Sequence, residues 1–526
     1  RGFGSGSNNV GIEPSVGVFI DGVYRSRAAA AILDLPDVER VEVLRGPQST
    51  LFGKNVSIGA ISLTTKLPSF DWGGSVEATY GNLDTVRFRG ALTGPITDTL
   101  AFRISGSTNN RDGTYTDIVN GREDINERDR WAVRGQLLWE PVEELSFRLI
   151  GDYNKINETC CGAIQVVTGP ITAGVIGLAM GGIVPPDGDP DARIVAIDQA
   201  PINELTGKGV SLQADWDLGF GVVTSITSYR EQSDFNQTDV DFTSIDLADR
   251  PLDTNYQTFT QELRIAGEWE TGAGTFNWLA GGFLFNEDIK TSQDLVFGAD
   301  FRTFGDIQLQ QLAGTSFAEI EGATQLVGAL VGGPTARFPE FAPSGGPGVL
   351  ATGSSLAEGA GFFGDYDYEN RSYSLFFQTD WEITDRLTIT GGVSYVNDRK
   401  IASSDAIRTE AFGNLDLTQF FDPTLATTGS GGSFVAATIL GGLLGTPFDP
   451  ANPIPFFTAA QTAAVMNPVG FSAMRDAAVS NALTALSGDP TLNPLIAFPA
   501  LSQLQLIPVP VNFPQVGAVR DDGITL

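Results

Sequence analysis

Histidine is absent from all 526 residues. With it go the commonest general base and the commonest transition-metal ligand, so serine-type triads and the usual zinc sites have no candidates. Cysteine is nearly absent: the two present, Cys160 and Cys161, are neighbours. One adjacent pair cannot make a disulfide framework or a zinc site by itself; the two thiols either bridge each other or stay free, and an oxidising cell-surface setting favours the bridge. Basic residues are scarce, 32 Lys and Arg against 63 Asp and Glu for a formal charge of −31. A chain so acidic lacks the basic surface that phosphate neutralisation needs, which removes nucleic acid from the partners. The acidity reads as solvated loops, with attraction of cationic ligands or divalent ions as the other reading. No window approaches the roughly 18 consecutive apolar residues of a membrane-spanning helix. Spanning strands leave only a weak hydropathy trace, so that absence excludes helical membrane proteins and nothing else. Gly2-Phe3-Gly4-Ser5-Gly6 has no strand-turn-helix frame for a phosphate loop, and paired carboxylates arise by chance in so acidic a chain. No catalytic residue, metal ligand or cofactor site is assigned, and the chain is not read as an enzyme.

What the sequence does have is alternation. Strands are expected over 75–81, 85–93, 98–109, 129–140, 143–154, 208–217, 222–235, 256–269, 275–288, 366–382 and 386–400. These make about eleven, more than a single open sheet carries without curling or splitting. In 131–140, Trp131, Val133, Leu137 and Trp139 share one face, and Arg134, Gln136 and Glu140 the other. Residues 145–153 repeat the pattern, with Leu145, Phe147, Leu149 and Tyr153 set against Ser146, Arg148 and Asp152. A soluble sandwich also alternates.

The connections separate the two cases. Short ones at 94–97, 141–142, 218–221, 270–274 and 383–385 alternate with long ones at 110–128, 155–207, 236–255, 289–365 and after 401. Outer-membrane barrels keep short periplasmic turns and long extracellular loops, whereas a sandwich has no reason to hold that parity. Trp139, Trp216, Trp269 and Trp381 each close a strand just before a short turn. That is where an interfacial girdle places rings with one apolar body and one polar N–H. Residues 317–331 and 459–486 have the composition of helical pieces inside loops, and 494–514 reads as proline-rich extended chain.

One short region departs from this pattern. In 34–66, Val38, Val41, Val43 and Leu44 suggest a strand stopped by Arg45-Gly46-Pro47, a short helix follows over 48–52, and a second strand runs from 58 to 65. Upstream, VGVFIDGVYRSR reads as a hairpin, with Asp21-Gly22 supplying the positive φ angles of a two-residue turn. VERVEVLRGPQSTLFGKN followed by GAISLTTK resembles the plug signature of TonB-dependent outer-membrane transporters. Ser49, Phe52 and Ile58-Gly59-Ala60 replace the family's commoner residues. FTQELRIAGEW, FNWLAGGFLFNED and SLFFQTDWEITDRLTITGGVSYVNDRK are similar to its barrel hairpins.

The resemblance implies a mainly β chain: a partial antiparallel transmembrane β-barrel around a small α/β plug. The plug is expected over 1–66, a linker over 67–74 and the barrel portion over 75–526. Against the family's 22 strands, the chain reads as a fragment without the plug's opening portion, the TonB-contacting segment and half of the barrel. The implied function is a receptor of the Gram-negative outer membrane. It would bind a scarce solute and import it with energy from the TonB complex, in contact with outer-membrane lipid. Iron–siderophore complexes come first by family, with carbohydrate, cobalamin or aromatic compounds as alternatives and a non-transporting adhesin as another class. The resemblance also implies plug arginines that pair with barrel glutamates, which makes Arg45 the expected plug–barrel contact and Glu262 its candidate partner.

Overall fold

The computed structural model describes residues 13–27, 37–46, 54, 56, 58–185, 189–272, 274–313, 316–319, 321, 352–384, 386–409 and 515–525. The short helix expected over 48–52, the helical piece at 459–486 and the tail at 494–514 lie outside them, as does most of 317–331.

Four strands form a small sheet: β1 (Val16–Ile20), β2 (Val23–Arg25), β3 (Val38–Arg45) and β4 (Gly59–Thr65), in the order β2-β1-β4-β3. Asp21 and Gly22 turn β1 into β2 with φ of 49° and 75°. Positive φ at both central positions suits the right-handed twist of a two-residue hairpin. β1 then lies parallel to β4, so the hairpin stands beside the returning plug strand.

The large sheet takes β5 (Gly73–Gly81), β6 (Thr85–Thr97), β7 (Leu100–Arg111), β10 (Arg128–Val142), β11 (Leu145–Glu158), β13 (Ile202–Asp217) and β14 (Val222–Asp239). It continues through β15 (Ala248–Thr271), β16 (Gly274–Phe297), β17 (Gly361–Thr384), β18 (Leu387–Arg408) and β19 (Gln515–Thr525). Twelve strands pair in that order, one more than expected: β19 follows a long segment that offered no clean alternation. Several strands are longer than expected on the long-loop side. Each of β15, β16 and β17 has 24 residues, well beyond the 9–11 or so that cross a bilayer.

The long loops carry structure of their own. β8 (Tyr115–Asp117), β9 (Arg122–Ile125) and β12 (Ile194–Val195) join two separate loops in a three-stranded sheet. Its core is Ile125, Val195 and Ile197. An α-helix, Phe301–Ala313, and a π-helical turn, Thr172–Ala179, fill other loops.

Burial in the large sheet is reversed relative to a soluble protein. Arg103, Ser105, Arg134, Gln136, Arg148, Thr260 and Glu287 are buried, whereas Ile104, Val133, Leu137, Leu212, Leu263 and Leu375 are exposed. The polar face holds the small sheet and the apolar face is bare, which is the lipid-facing arrangement of a transmembrane barrel. Trp139, Trp216, Trp269 and Trp381 stand within three residues of strand ends at the short turns. Trp139 stacks on Phe147 at 5.3 Å and Trp381 on Phe276 at 5.2 Å. Near the other end of β10, Trp131 stacks on Tyr153 at 5.0 Å. Eight residues separate Trp131 from Trp139 in that strand, about 26 Å along it at roughly 3.3 Å per residue. At the roughly 40° tilt of barrel strands that is about 20 Å of height, within the apolar band of an outer-membrane wall, about 25 Å tall.

Candidate functional site

The two sheets meet along a polar seam built around the β1–β2 turn. Asp21 sits at the turn because a short polar side chain tolerates positive φ, and the turn aims its carboxylate at β10 and β11. One side of that carboxylate is held within the small sheet: Oδ1 accepts from the Thr65 backbone N–H at 2.9 Å, and the Thr65 hydroxyl lies 3.0 Å from Oδ2. Towards the wall it accepts from the guanidiniums of Arg134 and Arg148, the latter at 3.2 Å. Arg148 also donates to Gln136 Oε1 from Nε at 3.0 Å and Nη2 at 2.7 Å, and Gln136 Nε2 donates to the Lys66 carbonyl at 3.2 Å.

Asp152 of β11 extends the network. It receives Arg134 at 3.3 Å, Arg230 of β14 through two hydrogen bonds at 2.9 and 2.7 Å, and Arg25 of β2 at 3.8 Å. Further along, Arg27 donates to Glu287 of β16 at 2.9 Å, and Asp37 binds Arg103 of β7. Lys54 reaches Asp398 of β18 at 3.1 Å and Glu13 at 3.5 Å, with Lys400 on Glu13 at 2.8 Å. Burial strips water from the Arg25 guanidinium and brings its pKa down to about 10, with Asp152 opposing the shift. It remains a cation at neutral pH. Beside this seam lies an apolar contact of Phe19, Tyr24, Val56 and Ala60 from the plug side with Phe283, Phe285 and Phe376 from the wall.

The pairing expected for Arg45 and Glu262 does not occur. Arg45 is exposed at the end of β3, the edge strand of the small sheet. Glu262 is buried, and its carboxylate accepts instead from Arg264 at 2.8 Å. Residues i and i+2 share a face of a strand, so Glu262 finds a cation two positions along its own chain. The contact the sequence reading missed has the opposite polarity, with a plug carboxylate held by barrel arginines. Its wall residues were already visible on the polar face of the alternation; nothing local linked them to Asp21, more than 100 residues away.

Cys160 and Cys161 form a vicinal disulfide in the loop between β11 and β13. Cys161 is exposed, has a φ of 86° and donates its backbone N–H to Asn126 Oδ1 at 2.9 Å. The contact ties this loop to the one carrying β9. In the same outer region Asp198 is partly buried, and burial together with the neighbouring Asp241 carboxylate pushes its pKa up to about 6. Among the described residues no three His, Cys, Asp or Glu side chains converge as a metal site would require.

Chemically, the seam is a latch. A buried ion pair gains little net energy because desolvation offsets the Coulomb attraction, yet removing one partner costs about 3–5 kcal/mol.

Comparison with known proteins bears on what is latched. Residues 1–60 match the TonB-dependent Receptor Plug Domain family. The chain is 33% identical over 118 residues to the ferrioxamine receptor of Yersinia enterocolitica, covering 22% of this chain and 16% of that one. It is 31% identical over 161 residues to the ferric enterobactin receptor PirA of Pseudomonas aeruginosa, covering 27% and 21%. These matches therefore span about a fifth or less of those relatives' length. Its fold is similar to that of the ferric yersiniabactin uptake receptor FyuA from Yersinia pestis, with a TM-score of 0.55 at 17% identity over 76% of this chain and 50% of that one. The siderophore receptor PiuA from Acinetobacter baumannii aligns with a TM-score of 0.53 at 14% identity over 77% and 56%. A plug-family segment is thus docked on the polar face of a sheet whose fold is similar to those of these two solved receptors.

Proposed function

We propose that this chain is part of a receptor that binds a ferric siderophore at the outer surface and admits it when the plug is rearranged. Residues 1–66 would serve as plug, 67–74 as linker and 75–526 as barrel portion, with the TonB complex as the energy source. The observation that carries the reading is the seam itself, a plug hairpin held against a barrel-type wall by buried ion pairs. Two matched relatives are named as receptors for ferrioxamine and ferric enterobactin, which supports a siderophore as cargo. The test is uptake of radiolabelled iron by the native host from a panel of ferric siderophores, with the full-length gene present or deleted. Loss of uptake for one hydroxamate, catecholate or mixed chelate on deletion is the expected result. Unchanged uptake of every chelate, with loss of a cobalt corrinoid or an oligosaccharide instead, would redirect the assignment to another solute.

A further inference from the structure

The seam's ion pairs do not balance. Arg148 and Arg134 share Asp21, and Arg134, Arg25 and Arg230 share Asp152, so four guanidiniums are linked by two carboxylates. Arg27 does not change that difference, since Glu287 takes it. Neither does Glu231, whose carboxylate turns outward to Lys208 at 2.7 Å. An excess of positive charge so far from water is costly unless something offsets it.

The place where the offset is missing can be located. Arg25, only 5% exposed, makes its one charged contact with Asp152 through Nη2, and its buried Nε and Nη1 find no acceptor among the described residues. Asn154 Nδ2 and Gln232 Nε2 are likewise buried donors without an acceptor. All three side chains line one cavity of about 30 Å³, together with Arg230, Tyr256 and Thr258. Each of these orphan groups is a donor, and two guanidiniums at the cavity, those of Arg25 and Arg230, share the single carboxylate of Asp152. A water could occupy a space of that size, since about 10–15 Å³ is enough to admit one, but it would leave the charge uncompensated. So small a space favours a monatomic anion over phosphate or a carboxylate ligand.

We propose that this cavity is a binding site for a single chloride-sized inorganic anion, held between the plug hairpin and the barrel wall by Arg25, Asn154 and Gln232. The anion completes the seam, because its negative charge is shared by a plug residue and two wall strands. Docking of the hairpin therefore depends on the identity of the small anion in solution. Burial that lowers the Arg25 pKa is relieved by such a neighbour, and Arg25 stays protonated throughout the working pH range.

The test uses the full-length receptor in detergent. Crystals grown with bromide in place of chloride are expected to give an anomalous difference peak within hydrogen-bonding distance of Arg25 Nε and Nη1. Thermal melting in chloride is expected to exceed that in gluconate at equal ionic strength by roughly 2–4 °C, the shift of a modest local stabilisation. Arg25→Met is expected to abolish both the peak and the difference; should that variant fail to fold, Gln232→Leu provides the same comparison with one donor fewer. No anomalous peak, a peak that persists in Arg25→Met as an adventitious ion only, or equal melting in the two salts would each overturn the proposal.

Discussion

The two faces of β10 put opposite environments a few ångströms apart. On one face Trp131, Val133 and Leu137 are exposed, and on the other Arg134 and Gln136 are almost fully buried. In a soluble protein the exposed side of a strand is cheap to change and the buried side is apolar. Here the exposed side must match lipid and the buried side carries charge, so substitutions on both faces should be costly for different reasons. The outward residues are held by depth in the bilayer, and the inward ones by partners on the plug.

The largest expected effect is on the inner face. Asp21→Ala leaves the guanidiniums of Arg134 and Arg148 without their shared carboxylate, and should destabilise plug docking by about 3–5 kcal/mol. Denaturant titration of the full-length protein, followed by protease access to the plug, would read it. On the outer face, Leu137→Arg should cost about 2–4 kcal/mol if the residue lies near the bilayer midplane, and less nearer a girdle. Refolding into vesicles measures that number, and a change below about 0.5 kcal/mol would contradict the lipid-facing assignment.

Much of this comparison was legible from the chain. The period-two pattern separated Trp131 and Val133 from Arg134 and Gln136, and Asp21-Gly22 identified the hairpin turn, because both signals are local. Partnership was not local. Asp21 meets Arg134 and Arg148 across separations of 113 and 127 residues, and the reading that joined Arg45 to Glu262 took polarity from family resemblance, whereas the turn geometry of Asp21 and the strand neighbour Arg264 decided the real contacts. The loop sheet was also hidden, because β8, β9 and β12 have three, four and two residues, too few to establish a period.

A third region sharpens the contrast between sealed seam and solvated loops. Asp198 has a folded-state pKa raised to about 6 by burial and by Asp241. Its charge therefore opposes local structure above that value, and the folded loop gains stability as pH falls from about 7 through 6 towards the unfolded carboxylate range. Amide exchange at 194–198 and 241–248 should slow between pH 7.5 and 5 after correction for intrinsic rates. In Asp198→Asn that pH dependence should shrink. The smallest effect belongs to Arg45→Ala: with the side chain exposed at a strand end, stability should move by less than about 0.5 kcal/mol, and a loss above 1 kcal/mol would reinstate a buried partner.

The most direct test of the latch is a double-mutant cycle between Asp21→Ala and Arg148→Ala, with plug docking free energy measured in the full-length protein. Direct contact between the two side chains at 3.2 Å requires non-additivity, with a coupling of about 1–3 kcal/mol and the double variant less damaged than the sum of the single ones. Additivity within about 0.3 kcal/mol would mean that Asp21 does not hold the hairpin to β11, and would contradict the account of the seam.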